Sequence, residues 1–102
     1  MPSEFQLRDY HIKPGEMQAW IKEWRSRVLP LRLKFGFKLV GAWRLGEDRF
    51  IWILKYEGRT GDFQKADEKY YASRERIGLK PDPARHLSET YHHMVKKVSL
   101  PV

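Results

Sequence analysis

The sequence has no cysteine among its 102 residues. This absence excludes disulfide bonds, thiolate nucleophiles and metal sites built on cysteine. Long apolar runs are missing too, since the longest, residues 50–54, is far below the ~20 residues that cross a bilayer. Residues 1–10 carry charged and polar side chains where a signal peptide would place an apolar segment. We therefore expect a cytoplasmic protein without membrane association.

Acidic residues are fewer than basic ones, 13 against 20, which gives a formal net charge of +7. A concentrated basic patch is the usual mark of a nucleic-acid site. Here the basic residues are spread along the chain between acidic ones, and no nucleic-acid-binding motif accompanies them. The charge therefore favours a solvated basic surface over a nucleic-acid partner.

Apolar residues make up 41% of the chain, with four Trp, five Tyr and five Phe. These large side chains can build a core, and the length suits a single domain over residues 1–102. The pattern predicts a strand at residues 5–12, a turn, and a helix from residue 16 that Pro30 kinks and Gly36 ends. The apolar residues of this helix recur at intervals of three or four: Met17, Trp20, Ile21, Trp24, Val28, Leu31 and Phe35.

A hairpin follows, with strands at residues 37–44 and 49–57. If Arg44 pairs with Arg49, the large apolar residues share one face and small or β-branched residues share the other. We expect the small face to pack against the helices and the aromatic face to stay open. The open set is then Phe37, Leu39, Trp43, Phe50, Trp52, Leu54 and Tyr56.

A second helix is predicted from Asp62, and a last strand at residues 85–98 with an irregularity near His92 and His93. The order strand, helix, strand, strand, helix, strand predicts an α+β, ferredoxin-like βαββαβ domain. Its antiparallel four-stranded sheet would have two helices on one face. A second copy would cover the open face and form a homodimer with a ligand cavity between the two sheets.

Residues 5–17, Phe-Gln-Leu-Arg-Asp-Tyr-His-Ile-Lys-Pro-Gly-Glu-Met, followed by Trp20, resemble the opening motif of the NIPSNAP family. Gln6 stands where that family usually has Glu. The resemblance continues through residues 36–43, 52–56 and 85–101. It implies a dimeric α/β barrel and no settled activity. The wider superfamily includes small monooxygenases, haem-handling proteins, isomerases and dehydratases. A shared fold does not imply a shared activity, so these examples only suggest which reactions to consider.

Arg8 and Tyr10 share one face of the first strand, and we expect both to enter the cavity between the two sheets as catalytic residues. Arg8 could hold a carboxylate or enolate oxygen through paired hydrogen bonds, and Tyr10 could donate a proton. In the alternative interpretation, Arg8 pairs with an acid across the dimer and Tyr10 only packs.

Five further residues are candidates for contacting a ligand. Aromatic side chains suit a flat or apolar molecule, and imidazole titrates near neutrality. Packing in the core or the dimer would explain the aromatic residues equally. The five are Trp43, Trp52, Tyr56, His86 and Tyr91.

No nucleophile elbow, phosphate-binding glycine loop or metal-ligand spacing occurs in the sequence. His92 and His93 would point to opposite faces of a strand, so they do not form a chelating pair. We expect neither a metal nor a cofactor. Two functions stay open: a small-molecule enzyme, such as a cofactor-independent monooxygenase or isomerase, and a non-catalytic binding or interaction module.

Overall fold

A computed structural model of the chain, which describes residues 2–101, has one four-stranded sheet with the helices on one face. The strands run in the order β2-β3-β1-β4 and every neighbouring pair is antiparallel. This is the predicted ferredoxin-like α+β arrangement. Its elements are β1 (Ser3–Ile12), α1 (Met17–Glu23), α2 (Leu29–Lys34), β2 (Lys38–Leu45), β3 (Arg49–Glu57), α3 (Asp62–Ala72), α4 (Arg74–Ile77) and β4 (Leu87–Val95).

A π-helical turn, Trp24–Val28, joins α1 to α2 and takes up the kink expected near Pro30. Proline has no amide hydrogen, and its ring crowds the carbonyl four residues earlier. The amide of Leu29 bonds to the carbonyl of Trp24, five residues back, so the helix widens immediately before the proline. The helix then ends at Lys34, and Gly36 follows it with a φ of +93° that suits glycine, as the predicted C-terminal glycine. None of the helices in residues 2–101 is long and apolar enough to cross a membrane.

The hairpin pairs differently from the prediction near its turn. Leu45, not Arg44, lies opposite Arg49, because Gly46 has a φ of +62° and the turn is one residue shorter. A bulge at Val40 then restores the predicted pairing of Leu39 with Leu54. Since a bulge reverses the side-chain alternation beyond it, Trp43 points to the face opposite the other aromatic residues.

The prediction of which sheet face meets the helices is wrong. Phe50, Trp52 and Leu54 are buried under the helices, whereas Ile51 and Ile53 lie on the open face. The prediction assumed that bulky helix residues need small partners. Aromatic rings instead interlock edge to face. The described pairs are Trp24–Phe50 at 5.0 Å, Trp24–Trp52 at 5.5 Å, Trp20–Phe50 at 5.8 Å and Tyr10–Trp20 at 5.7 Å between ring centroids.

The last strand is shorter than predicted, starting at Leu87 and ending at Val95. A 3-10 turn, Pro83–His86, precedes it, and the Asp82 side chain caps this turn by accepting from the amide of Ala84. The irregularity lies between His11 and Ile12 where β1 pairs with β4, not at His92 and His93. β4 is an edge strand, so one side of the helix-covered layer is open to solvent there.

Trp24 gives a direct test of this aromatic layer. Trp24→Ala should lower the free energy of unfolding by roughly 3–5 kcal/mol, because it leaves a cavity between Phe50 and Trp52. Trp24→Phe should cost only about 1–2 kcal/mol, since it keeps a ring and removes an indole N–H that has no partner within residues 2–101. Urea denaturation measures both, and equal losses would contradict the edge-to-face packing.

Candidate ligand cavity

Arg8 lies on β1 with its guanidinium completely buried between the sheet and the helices. Its Nε donates to the Tyr10 hydroxyl at 2.7 Å, one terminal nitrogen donates to Gln6 Oε1 at 2.5 Å, and the other to the Tyr71 hydroxyl at 2.6 Å. A buried charge is costly unless its donors are paired. These bonds orient Arg8, but each acceptor is a neutral group.

Arg32 brings a second guanidinium into the same layer from α2, with only 1% of its surface exposed. Its terminal nitrogens donate to Asp67 Oδ1 at 2.6 Å and to the Tyr71 hydroxyl at 3.2 Å. The same Asp67 oxygen lies 3.8 Å from Arg8. Two buried cations therefore share one carboxylate, which is itself 20% exposed.

A cavity of about 160 Å³ lies beside these residues, between the helix-facing side of the sheet and the helices. Trp20, Trp52 and Leu87 contribute apolar wall, and Thr90 and His92 of edge strand β4 line the side that solvent reaches. The full lining is Tyr10, Trp20, Val28, Arg32, Trp52, Tyr70, Tyr71, Arg76, Pro83, Ala84, Leu87, Thr90 and His92.

Several polar atoms of the lining residues are buried without a partner. Five buried side-chain polar atoms lack a protein partner within residues 2–101, and four of them belong to lining residues: Trp20 Nε1, Trp52 Nε1, Arg32 Nε and the Tyr70 hydroxyl. The Tyr71 hydroxyl accepts from two guanidinium groups, so its own proton must point elsewhere. A buried donor without a partner costs about 1–3 kcal/mol. These four atoms have almost no accessible surface, so they are a cost of the packing and do not open onto the cavity.

Two titratable groups of the lining have shifted pKa values. Burial raises the pKa of Tyr10 to about 12, against the opposing charge of Arg8, so this phenol keeps its proton. Burial also lowers the pKa of His92 to about 4, and the charge of Arg8 adds to that effect. At neutral pH the cavity therefore has a neutral imidazole at its open side and a protonated phenol inside.

The structure brings only some of the predicted site residues together. Arg8, Tyr10 and Trp52 lie in or directly behind the cavity, but under the helices and not between two sheets as predicted. Trp43 and Tyr91 lie on the open face, 53% and 44% exposed. They cannot contact the same ligand as Trp52 within one chain.

Tyr56 and His86 also lie away from the cavity. Tyr56 packs on Phe37 at the far end of the sheet, with 5.2 Å between ring centroids. His86 is buried at the end of the 3-10 turn, where Nδ1 lies 2.7 Å from Glu16 and Nε2 lies 2.8 Å from Glu23. These contacts hold the segment before β4 against the start and end of the first helix, so His86 has a structural role.

Sequence reasoning did not assign Trp20, Arg32, Tyr70 or Tyr71 to a cavity. It considered His92 as a possible acid–base group of the last strand but not as a residue of this lining. Arg32 carried a signal, because Trp20, Trp24, Val28 and Arg32 form a row at intervals of four on the buried side of the helix. A cation that continues a buried row needs a partner inside the protein. No comparable signal marks Tyr71, which is 41% exposed.

Metal ligation finds no support in the described part of the chain, since residues 2–101 contain no group of three His, Asp or Glu side chains placed around one point. The cavity lining itself offers one imidazole and no carboxylate.

These features define the class: a ferredoxin-like α+β protein with a largely apolar cavity under its helices. The NIPSNAP profile matches residues 5–98, nearly the whole chain. The chain belongs to the NIPSNAP family, as its opening motif predicted. No curated protein is similar in sequence.

Solved structures support the fold. An uncharacterized NIPSNAP domain protein from Burkholderia xenovorans superposes with a TM-score of 0.82 at 14% identity, over 97% of this chain and 98% of the other. A NIPSNAP family protein of unknown function from Agrobacterium tumefaciens gives 0.83 at 15% identity, over 97% and 91%. A provisionally named antibiotic biosynthesis monooxygenase from Nitrosomonas europaea gives 0.69 at 11% identity, over 94% and 90%.

The pairing of Glu23 with Arg85 and His86 predicts a pH dependence of stability. Hydrogen bonds from Arg85, and next from His86, lower the pKa of Glu23 to about 2, below the ~4.3 of an unfolded chain. A lowered carboxyl pKa stabilises the folded state above pH ~4.3, and this contribution is lost as the pH falls toward 2. Urea denaturation should show a fall in the free energy of unfolding between about pH 5 and pH 2.

Glu23→Gln should flatten part of that fall and cost about 1–2 kcal/mol at pH 7, because the neutral amide cannot take charge-assisted bonds on both oxygens. Glu47→Gln is the matched control, since Glu47 is 89% exposed in the hairpin turn. If the Glu23 variant and the wild type lose stability in parallel with falling pH, the assignment is wrong.

Proposed function

We propose that this NIPSNAP protein binds a small organic molecule of about one ring in the cavity between its sheet and its helices. The observation that supports this most is the cavity itself, which has apolar walls from Trp20, Trp52 and Leu87 and polar groups from Arg32, Thr90 and His92. Ligand sites are typically concave and apolar with a few convergent polar groups. The proposed ligand is apolar or aromatic, as predicted. Its proposed position is the helix-covered layer of one chain and not the interior of a dimer.

The size of the cavity limits the ligand. Its volume of about 160 Å³ is close to that of the ~150 Å³ cavity that accommodates benzene in another protein. The indole rings of Trp20 and Trp52 line the cavity and can contact a flat molecule on more than one side. A single ring or a short chain fits, whereas a fused multi-ring substrate would have to extend past Thr90 into solvent.

Catalysis without a cofactor is the second candidate function. The observation in its favour is that Tyr10 and His92, two groups that can carry a proton, line one cavity with 6.3 Å between their ring centroids. Their pKa values of about 12 and about 4 lie far from neutral pH, so catalysis would require a bound ligand to bring them closer to it. Monooxygenase chemistry enters by analogy alone, through the printed name of the Nitrosomonas europaea neighbour. A non-catalytic binding protein would keep the ligand unchanged, which product analysis distinguishes.

Blocking the open side of the cavity tests ligand binding. Thr90→Trp places an indole at this exposed position on the helix-facing side of β4. Binding of benzyl alcohol should weaken at least ten-fold, followed by NMR through the indole N–H signals of Trp20 and Trp52. Glu89→Trp is the matched control, because the adjacent residue points to the open face. Equal binding by both variants, or no binding to the wild type, would refute the proposal.

We also propose that two copies of the chain pair through the open sheet face, in the cytoplasm as predicted. Leu7, Ile51 and Ile53 lie at its centre, and Trp43 folds its ring over Gly41, where an added Cβ would lie 2.7 Å from the ring. Asp9 and Arg49 form an ion pair on the same face, so this surface is an apolar group with polar neighbours, a composition that commonly marks an interface. A two-fold dimer is the commonest symmetric solution.

Trp43→Arg should convert the dimer to a monomer, because it places a charge in the paired apolar surface. Ile77→Arg, on the exposed side of α4 at 60% exposure, is the control and should stay dimeric. Analytical ultracentrifugation and native mass spectrometry measure the subunit count. A monomeric wild type, or dissociation of both variants alike, would disprove this interface.

A further inference from the structure

We infer that the protonation state of His86 controls how tightly the cavity holds its ligand, because His86 fixes one wall of the cavity through Glu16 and Glu23. This inference rests on the proposed function and adds a regulation of the same site by pH. The ligand should bind well while His86 is protonated. Its affinity should fall as the pH rises and His86 loses its proton.

One wall of the cavity is formed by the short segment that leads into β4. Pro83, Ala84 and Leu87 line the cavity, and His86, which is 6% exposed, lies in the chain between Ala84 and Leu87. Residues 83–86 form the 3-10 turn, and β4 begins at the next residue. The contacts of His86 therefore determine where this wall lies.

Both ring nitrogens of His86 contact carboxylates of the first helix and the turn before it. Nδ1 lies 2.7 Å from Glu16 Oε1, and Nε2 lies 2.8 Å from Glu23 Oε2. A neutral imidazole has one N–H, whereas the protonated ring has two. Only the protonated ring can donate to both carboxylates. Loss of the proton leaves one ring nitrogen with a lone pair facing a carboxylate oxygen, so the wall is then held less firmly.

The charged groups around His86 keep Glu23 ionised. Arg85 donates to both oxygens of Glu23, at 2.8 Å and 2.7 Å, and Arg27 of the π-helical turn lies 3.4 Å from Oε1. Asp82 is a further charged neighbour of Arg85. Hydrogen bonds from Arg85, and next from His86, lower the pKa of Glu23 to about 2. A change of pH in the range where imidazole ordinarily titrates therefore acts on the contact with Glu23 through His86.

The turn that carries this wall lies between two irregular parts of the chain. Residues 78–82 before it form no helix or strand. After it, the pairing of β4 with β1 shifts register so that Ser88, next to Leu87, is an extra residue, and a bulge of this kind interrupts the ladder. One backbone bond, from the Lys13 amide to the His86 carbonyl at 2.9 Å, joins the turn to the end of β1. The turn can therefore shift without disrupting the rest of the sheet.

The titratable groups of the lining itself do not change charge in the same pH range. Burial raises the pKa of Tyr10 to about 12. Burial, and next the charge of Arg8, lowers the pKa of His92 to about 4. The other tyrosines and the arginines of the lining belong to residue types that ordinarily titrate well above neutral pH. A dependence of binding on pH near neutrality therefore identifies His86 and not a group in the cavity.

The experiment measures the affinity of the full chain for benzyl alcohol by NMR from about pH 5 to about pH 9. The ring signals of His86 are followed in the same samples. The affinity should fall about three-fold or more as His86 loses its proton, because the wall at residues 83–87 is then held less firmly. Binding and protonation are reciprocal, so benzyl alcohol should take up protons in this range, which calorimetry in buffers of different ionisation enthalpy measures.

His86→Gln removes the titrating ring and is the most informative variant. Its affinity for benzyl alcohol should stay at the high-pH value of the wild type, without pH dependence or proton uptake. His93→Gln is the matched control, because His93 lies on the open face of the same strand, and it should keep both. Glu16→Gln changes a residue whose side chain is 38% exposed and should reduce the pH dependence. Should His86→Gln fail to fold, the pH profile of Glu16→Gln decides.

The outcomes separate this regulation from the proposed function. If the wild type binds benzyl alcohol with the same affinity at every pH, the regulation is wrong and the ligand cavity stands. A pH dependence that persists in His86→Gln would also overturn it, since another group would then be responsible. If benzyl alcohol does not bind at any pH, the proposed function is refuted and the regulation with it.

Discussion

The buried guanidinium of Arg8 is the constraint on which the rest of this structure depends. A fully buried cation needs its donors met from the same layer, and here Gln6 and Tyr10 on its own strand and Tyr71 on α3 meet them. Those bonds require that the polar residues of β1 face the helices. They also require that α3 lie close enough for Tyr71 to reach Arg8 and Arg32 together.

The position of the aromatic layer also depends on which face of the sheet Arg8 occupies. Once Arg8 and Tyr10 point under the helices, their neighbours across β3, Trp52 and Phe50, must do so too. The indoles of the first helix then pack edge to face on them. Large rings packed at steep angles do not fill the layer evenly, and the cavity lies beside them at edge strand β4.

The cavity lies where this layer meets edge strand β4, which links the fold to its proposed use. Trp20 and Trp52 pack in the aromatic layer and also form part of the cavity wall. The packing that holds the helices on the sheet therefore also shapes the space proposed for a ligand.

The local pattern of apolar, proline and glycine residues determined where the helices and strands lie, because each helix or strand depends on residues that are neighbours along the chain. The steps of three and four from Met17 predicted the first helix, Pro30 its kink, and the motif at residues 5–17 the family. The burial of Arg8 and Tyr10 as a pair also followed from strand alternation, although their supposed position between two sheets did not hold.

Only the tertiary structure decided which sheet face the helices cover, because both faces of the hairpin avoid water and periodicity treats them alike. One bulge at Val40 moved Trp43 away from Trp52, and a bulge leaves no mark in hydrophobic pattern. The meeting of Arg32 and Tyr71 with Arg8 spans 63 residues or fewer along the chain and depends on how helices cross the sheet. That packing, and not any local motif, makes the candidate site.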